Sequence, residues 1–414
     1  MHLDRRSFLA SALASSLLTP SLASAAAAPG DRRFLFVFAS GGWDPTRVFA
    51  DAFDNPAVDM EPGAERATVG GIRFVDHPAR PSVRAFFEGH ADRAVVFNGL
   101  LVRSIAHEIC RMIAMTGDSS GLKPDWPAIL GAAGAPTTVP SLVLGGPSFP
   151  GPLGASVART GVAGQLEALV DGDIVAWSDQ VQPGLPLPTQ HVVERFARSR
   201  ARGQAARVTG GTAAPLYQAY EQAASSAAAL RDLRYTMDFT GGATLAEQAE
   251  VAVDALSVGM SRCVCLSADG AWDTHAANDT VQSALFEATF AGLNQLMALL
   301  GGTPGSASPS LLDETVVVVL SEMGRTPQLN GFGGKDHWPY TSALVLGPGL
   351  TGGRVVGGYD ALHAGQPVDP GSAEVVADGP LLSAEALGAT LLALADVDPA
   401  EHVPGVRPLQ GVLA

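Results

Sequence analysis

An α/β fold, a mostly parallel central sheet with helices on both faces, is what this sequence predicts, and three observations lead there. Strand-length runs of continuous apolar residues, Phe34-Leu35-Phe36-Val37-Phe38 and Val316-Val317-Val318-Val319-Leu320 among them, read as strands covered on both faces. These runs alternate with segments of helical spacing, the order that builds parallel sheets. The composition, 47% hydrophobic and 16% charged with 47 glycines and 29 prolines, suits a well-buried, loop-rich globular chain. No repeat of fixed period is visible, and 414 residues suit one large α/β domain or two smaller ones.

The first buried strand, 33–39, feeds the loop Ser40-Gly41-Gly42-Trp43-Asp44. A short helix at 81–89 and a second buried strand at 94–98 follow. The next helix, 104–115, stops at Thr116-Gly117-Asp118. After a strand at 141–144 the texture turns to glycine, proline and short apolar pieces, then to amphipathic helices at 191–207 and 214–232. We therefore expect an insertion or cap over about 145–240, within a main domain spanning 31–414. Alternation resumes with helix 245–260, strand 263–267, helix 280–300 and strands 315–320 and 340–346, and a helix at 383–395 closes the chain. In such sheets, sites form beyond the carboxyl ends of the strands.

The N-terminus reads as an address. Asp4-Arg5-Arg6-Ser7-Phe8-Leu9 is a twin-arginine pattern, followed by an apolar run to residue 22 and the small-residue cleavage pattern Ala23-Ser24-Ala25. Ser, Thr and Pro interrupt a run shorter than the roughly 20 residues a membrane span needs. A removable signal peptide over 1–28 is expected, carrying the chain through the twin-arginine translocase to the periplasm or beyond. No later run suggests a span in the mature chain. The formal charge of −15 repels nucleic acid and anionic lipid, and lysines and arginines are dispersed, so nucleic-acid binding is not expected. Three cysteines give no disulfide framework; Cys110, Cys263 and Cys265 read as buried thiols, a bridge from Cys110 to one of the others staying open.

Candidate chemistry gathers where strands end. Asp44, after two glycines, can approach a metal or phosphate, or simply initiate a turn before Pro45. In Ala271-Trp272-Asp273-Thr274-His275, the single intervening residue lets Asp273 and His275 face one side of an extended backbone. Glu322 lies just past an aliphatic run with Arg325 beside it; the two can pair, or supply a metal ligand and an anion clamp. Asp336-His337 follows a glycine-rich loop. Oxygen and nitrogen donors of this kind suit a divalent metal: Zn, Mn or, with more oxygens, Ca. No Gly-x-Gly-x-x-Gly loop or cysteine cluster pattern supports a redox cofactor.

Ser321-Glu322-Met323-Gly324-Arg325-Thr326-Pro327 and Gly334-Lys335-Asp336-His337-Trp338-Pro339, preceded by Ala-Trp-Asp-Thr-His, resemble the exported proteins grouped as domain of unknown function 1501. That group resembles a branch of the alkaline phosphatase/sulfatase superfamily, and the likeness runs along essentially the whole chain. It implies an alkaline phosphatase-like fold and a metal site of Asp44, Asp273, His275, Glu322 and His337, with Asp336 supporting the histidines. His107-Glu108-Ile109-Cys110-Arg111-Met112-Ile113-Ala114-Met115-Thr116-Gly117 is similar to the sulfatase signature Cys-x-Pro-Ser-Arg-x-x-Leu-Leu/Met-Thr-Gly. His107 falls on the nucleophile position, and Arg111 and Arg325 would hold an anionic group. Two departures stand out: His107 replaces Ser, Thr or modified Cys, and Met323 replaces a usual ligand of a second metal. His107 is thus nucleophile, general base or ligand, with Ser104 as runner-up nucleophile or helix cap. The resemblance implies a metal-dependent hydrolase of small phosphate or sulfate esters. The alternative is a non-catalytic exported binding or assembly protein retaining a vestigial metal site.

Overall fold

The computed structural model describes residues 27–160, 174–175, 181–182, 187–208, 210–211, 213–233 and 242–414. The twin-arginine pattern and most of the expected signal peptide lie outside the described residues, as do parts of the 145–240 stretch.

Eight strands form the central sheet: β1 Arg33–Ala39, β2 Ala94–Leu101, β3 Ser141–Val143, β4 Val157–Arg159, β5 Cys263–Ser267, β6 Thr315–Ser321, β7 Tyr340–Leu346 and β8 Arg354–Gly357. Their spatial order is β8-β2-β7-β6-β1-β5-β3-β4. β1 is central, parallel to β6 from Arg33↔Thr315 to Ala39↔Ser321 and to β5 from Phe34↔Cys263 to Phe38↔Ser267. Only β7 among these strands runs against its neighbours, pairing antiparallel with β6 and β2. The expected mixed, mostly parallel sheet is therefore present. Parallel strands in register end together, so the loops after β1, β5 and β6 emerge side by side at one edge.

Alternation along β1 splits the core in two, because successive side chains of a strand point to opposite faces. Leu35, Val37 and Ala39 pack with helices α1 Pro81–His90, α6 Leu245–Ser257 and α7 Asn278–Gly302. Phe34, Phe36 and Phe38 pack with α2 His107–Thr116, α3 Trp126–Ala132 and α8 Ala384–Leu394. Helices thus cover both faces, and β1 is buried on each. By length and hydropathy α7 would pass for a membrane span, which the sequence reading does not anticipate. Its Phe286, Phe290, Leu293 and Leu296 are instead buried in the core.

Helix ends follow local chemistry. Thr244 and Glu247 form a capping box that starts α6, and Ser383 caps α8 by accepting from Ala386 N. α2 stops at Gly117, whose φ of 69° is left-handed, as the Thr-Gly-Asp signal predicts. It starts three residues later than expected, so Ser104 is not its cap. Ser104 Oγ accepts from Ala106 N at 3.2 Å in a local turn. The edge strand β4 lies inside the stretch set apart at about 145–240. The described remainder of that stretch is mainly the helices α4 Leu187–Arg207 and α5 Ala213–Leu233, packed on each other. All three cysteines are free and buried, so Cys110 bridges neither of the others.

Candidate metal centre

The loop after β1 is pressed against the loop after β5. Gly41 has φ 124°, and a Cβ there would meet Asp273 N at 2.6 Å, so only glycine fits this approach. Trp43 and Trp272 anchor the two loops in the core, their rings 6.2 Å apart and both packed on Phe286 of α7. This anchoring leaves Asp273 at the surface, with the loop 322–338 closing over it from β6.

Four predicted residues meet here. His107, Asp273 and His337 bring ligand atoms within 4.8 Å of one another. His275 joins them: its Nε2 is 3.0 Å from His337 Nε2 and 3.1 Å from Asp273 Oδ1. His337 Nε2 is 3.2 Å from the same oxygen, and His107 Nε2 is 3.4 Å from Asp273 Oδ2. A tetrahedral ion with bonds of about 2.0–2.1 Å sets its ligand atoms about 3.3 Å apart, and the Asp273 oxygens stand 3.1 Å, 3.2 Å and 3.4 Å from the three Nε2 atoms.

Proton bookkeeping explains why these groups suit a cation. Nδ1 of His337 faces the carbonyl of Ile105 at 2.7 Å, which can only accept. Nδ1 of His275 faces Asp336 Oδ1 at 2.9 Å, and Nδ1 of His107 faces Glu322 Oε1 at 3.0 Å. Each imidazole can therefore place an Nδ1–H on an outward acceptor, which would free its Nε2 for a cation beside Asp273. Such outer acceptors fix the tautomer of a metal-bound histidine. Burial alone would raise the Asp273 carboxyl, but Arg325, with His337 and His107, holds it down at about 2. The His275 contact also keeps Asp336 below the usual carboxylate range.

Two expected ligands are placed otherwise. Glu322 is fully buried behind His107: Oε1 accepts from Gly41 N at 2.7 Å as well as His107, and Oε2 from Ser321 Oγ at 3.2 Å. It supports a ligand instead of being one of the converging groups. Asp44 is also fully buried, and protein donors take up both its oxygens. Oδ1 accepts from Thr46 N and Oγ1, and Oδ2 from Asn278 Nδ2 and Lys335 Nζ, each of the latter at 2.9 Å. Burial opposes its charge, yet Lys335 and Arg47 outweigh burial and hold it well below the usual range. An oxygen so engaged has no lone pair facing the cluster.

The expected anion clamps also diverge. Arg325 is fully buried, and its donors are spent on Gly41 O, Gly42 O, Trp272 O, Lys335 O and Asp273 Oδ1. It braces Asp273 from beneath and cannot also face a substrate. Arg111 sits one turn after His107 on the same helix face, its Nε 3.5 Å from Glu322 Oε1 and its side chain one-third exposed. Of the two arginines, it alone remains able to meet an anion. Met323 is buried apolar core.

Sequence reasoning missed Lys335, although it stands in the quoted Gly-Lys-Asp-His segment. It also missed Asn330, whose side chain donates to His275 O at 3.0 Å and accepts from Gly334 N at 3.0 Å. A lysine beside two candidate ligands was the available signal for the first; nothing local marks the second.

The family model described as protein of unknown function (DUF1501) matches residues 182–406. No curated protein matches the sequence. Among solved structures, a protein of the alkaline phosphatase superfamily from Vibrio parahaemolyticus is 12% identical, with 100% of this chain and 80% of that chain covered and a TM-score of 0.39. The phosphonate monoester hydrolase of Agrobacterium radiobacter is 11% identical over 91% and 78%, with a TM-score of 0.37. That from Silicibacter pomeroyi is 10% identical over 92% and 76%, with a TM-score of 0.39.

Proposed function

Because this chain belongs to the DUF1501 family, whose function is unknown, we propose from its own site that it is an exported metal-dependent hydrolase of phosphate or sulfate esters. One observation carries the reading: His107, Asp273 and His337 bring ligand atoms within 4.8 Å of one another, His275 Nε2 lies against two of them, and all three histidines turn Nδ1 to an outward acceptor. His107, Asp273, His275 and His337 would hold the cation. A divalent metal bound there would supply a Lewis acid that polarises an ester oxygen and acidifies water.

The chain's own groups do the rest. Arg111 offers a charged, partly exposed side chain to the phosphoryl or sulfuryl oxygens. Glu322 holds His107 in the tautomer the site needs. Arg325 and Asp336 fix Asp273 and His275, so the ligands need no rearrangement when substrate arrives. In the reaction, a water oxygen bonds to phosphorus or sulfur as the ester oxygen leaves with the bonding pair. One water proton ends on the departing alcohol. The ester class rests on the resemblance of residues 107–117 to the sulfatase signature, and export on the twin-arginine pattern at residues 4–9.

Metal analysis of the purified mature chain, then a panel of aryl phosphate, aryl sulfate and phosphodiester substrates, tests this. The expected result is stoichiometric divalent metal and turnover of one ester class, both lost in His107→Ala. Metal without turnover of any ester would favour the binding or assembly alternative. A chain that holds no metal would end the proposal.

A further inference from the structure

We infer that the ester received at this centre is amphiphilic, carrying an apolar aromatic or aliphatic group on its alcohol side. This rests on the hydrolase reading above. The observation is the pairing of exposed apolar side chains with rigid backbone on both flanks of the ligands. Phe332 is 82% exposed, although most phenylalanines in the described chain are buried. It does not sit on a slack loop. Asn330 Oδ1 accepts from Phe332 N at 2.9 Å and from Gly334 N at 3.0 Å, and Asn330 N donates to Gly334 O at 2.7 Å. The same asparagine donates to His275 O, and the carbonyls of Phe332 and Gly333 accept from Ala277 N and Asn278 N. The loop tip that presents the phenyl ring is thus tied to the residues flanking His275.

On the other flank, Ile105 is 56% exposed while its carbonyl fixes His337 Nδ1. It stands two residues before His107. Backbone that orients the His337 imidazole, and backbone tied to the residues flanking His275, therefore each hold an apolar side chain in water. Single exposed apolar residues are ordinary, but two held in place beside a polar centre form a ready contact for an apolar group. Arg111 and the histidine cluster would take the anionic head of such an ester, and Phe332 with Ile105 its apolar part. A preformed contact loses little entropy on binding, so it favours apolar over small polar alcohols.

The test is direct binding of two non-hydrolysable mimics, benzylphosphonate and methylphosphonate, to the metal-loaded full chain by calorimetry, with the corresponding sulfonates in parallel. Benzyl binding at least about tenfold tighter than methyl is expected. Phe332→Ser should erase most of that preference and leave methyl affinity and metal content as they were, and Ile105→Ser should erase part of it. Equal affinity for both mimics, or a preference indifferent to both substitutions, overturns the inference while leaving the hydrolase reading intact. Metal-loaded protein that binds neither mimic overturns both. Light scattering covers the rival occupant: a dimer that Phe332→Ser converts to monomer would assign the apolar tip to a second copy and overturn the inference.

Discussion

Glu322 carries the consequence of a single proton. Its buried Oε1 faces both Gly41 N and His107 Nδ1, which favours the tautomer with the proton on Nδ1 when a cation takes Nε2. In Glu322→Leu the single buried oxygen that serves both Gly41 N and His107 Nδ1 would be gone. Nothing then holds the proton on Nδ1, and the tautomer that offers Nε2 to a cation loses its support. Metal affinity should fall by about 10–100-fold in a chelator competition, with the fold of the metal-free protein retained. Unchanged affinity would show that Glu322 does not set the tautomer. His363 supplies the pH prediction. Burial pushes it down to about 4, so it is neutral in the fold and its ring stacks on Tyr359 at 4.2 Å. Between about 6.5 and 4 the unfolded chain binds a proton the folded chain does not, so stability falls on acidification and levels off below. The loss is up to about 3 kcal/mol. Urea melts at pH 7.5 and 4.5 should show a smaller difference in His363→Phe than in the parent; equal differences would refute it. At this scale the sequence revealed the converging residues better than it did their roles. Asp273, His275 and His337 could be read because each follows a strand end or a glycine loop. Asp44 and Arg325 are placed otherwise than expected because a carboxylate or guanidinium is claimed by whichever partner the fold delivers. Lys335 and the carbonyls of Gly41 and Gly42 arrive from elsewhere in the chain.

Among the elements, the loop 329–336 decides how well the site is held. Gly334 lies so close to the strand-like segment of His275 that a Cβ would meet His275 C at 2.0 Å and O at 2.1 Å, both backbone atoms. Gly334→Ala must therefore push the loop away from His275 and loosen the Asp336–His275 and His337–His275 contacts together. The expected outcome is weakened metal binding together with a loss of urea stability, because Gly334 and Lys335 are buried and Lys335 Nζ pairs with buried Asp44. Retained metal affinity in this variant would mean that the loop does not position the ligands. The elements themselves were legible where physics is local. Runs 34–39 and 316–320 are apolar at every position because parallel strands under helices are buried on both sides, and they became most of β1 and β6. The reversed direction of β7 could not be read, since residues 343–346 of this antiparallel strand are buried and apolar at every position, as in a parallel one. The three-residue edge strand β4 and the four-residue β8 are too short to show a period at all.

For the whole molecule, the register of β1, β5 and β6 turns distant sequence segments into one site, and a cation there would cross-link them. His107 enters through α2, Asp273 and His275 through the loop after β5, and His337 through the loop after β6. None of these loops is held to the others by a disulfide, since all cysteines are free. An ion bound by all three elements favours only the folded chain, so it stabilises that chain by RT ln(1 + [L]/Kd), about 2.7 kcal/mol at a hundredfold excess over Kd. For a chain of this size that amounts to a few degrees in Tm. Stripping the protein with EDTA should lower Tm by that much, and adding back the native metal should restore it. The same treatment should leave His275→Ala nearly unmoved, because the cross-link is already weakened there. Tyr359 and His363, whose rings stack on each other, should keep a common melting profile in either state. A parent protein whose Tm is the same stripped and reloaded would show that these four side chains meet for some purpose other than holding a metal.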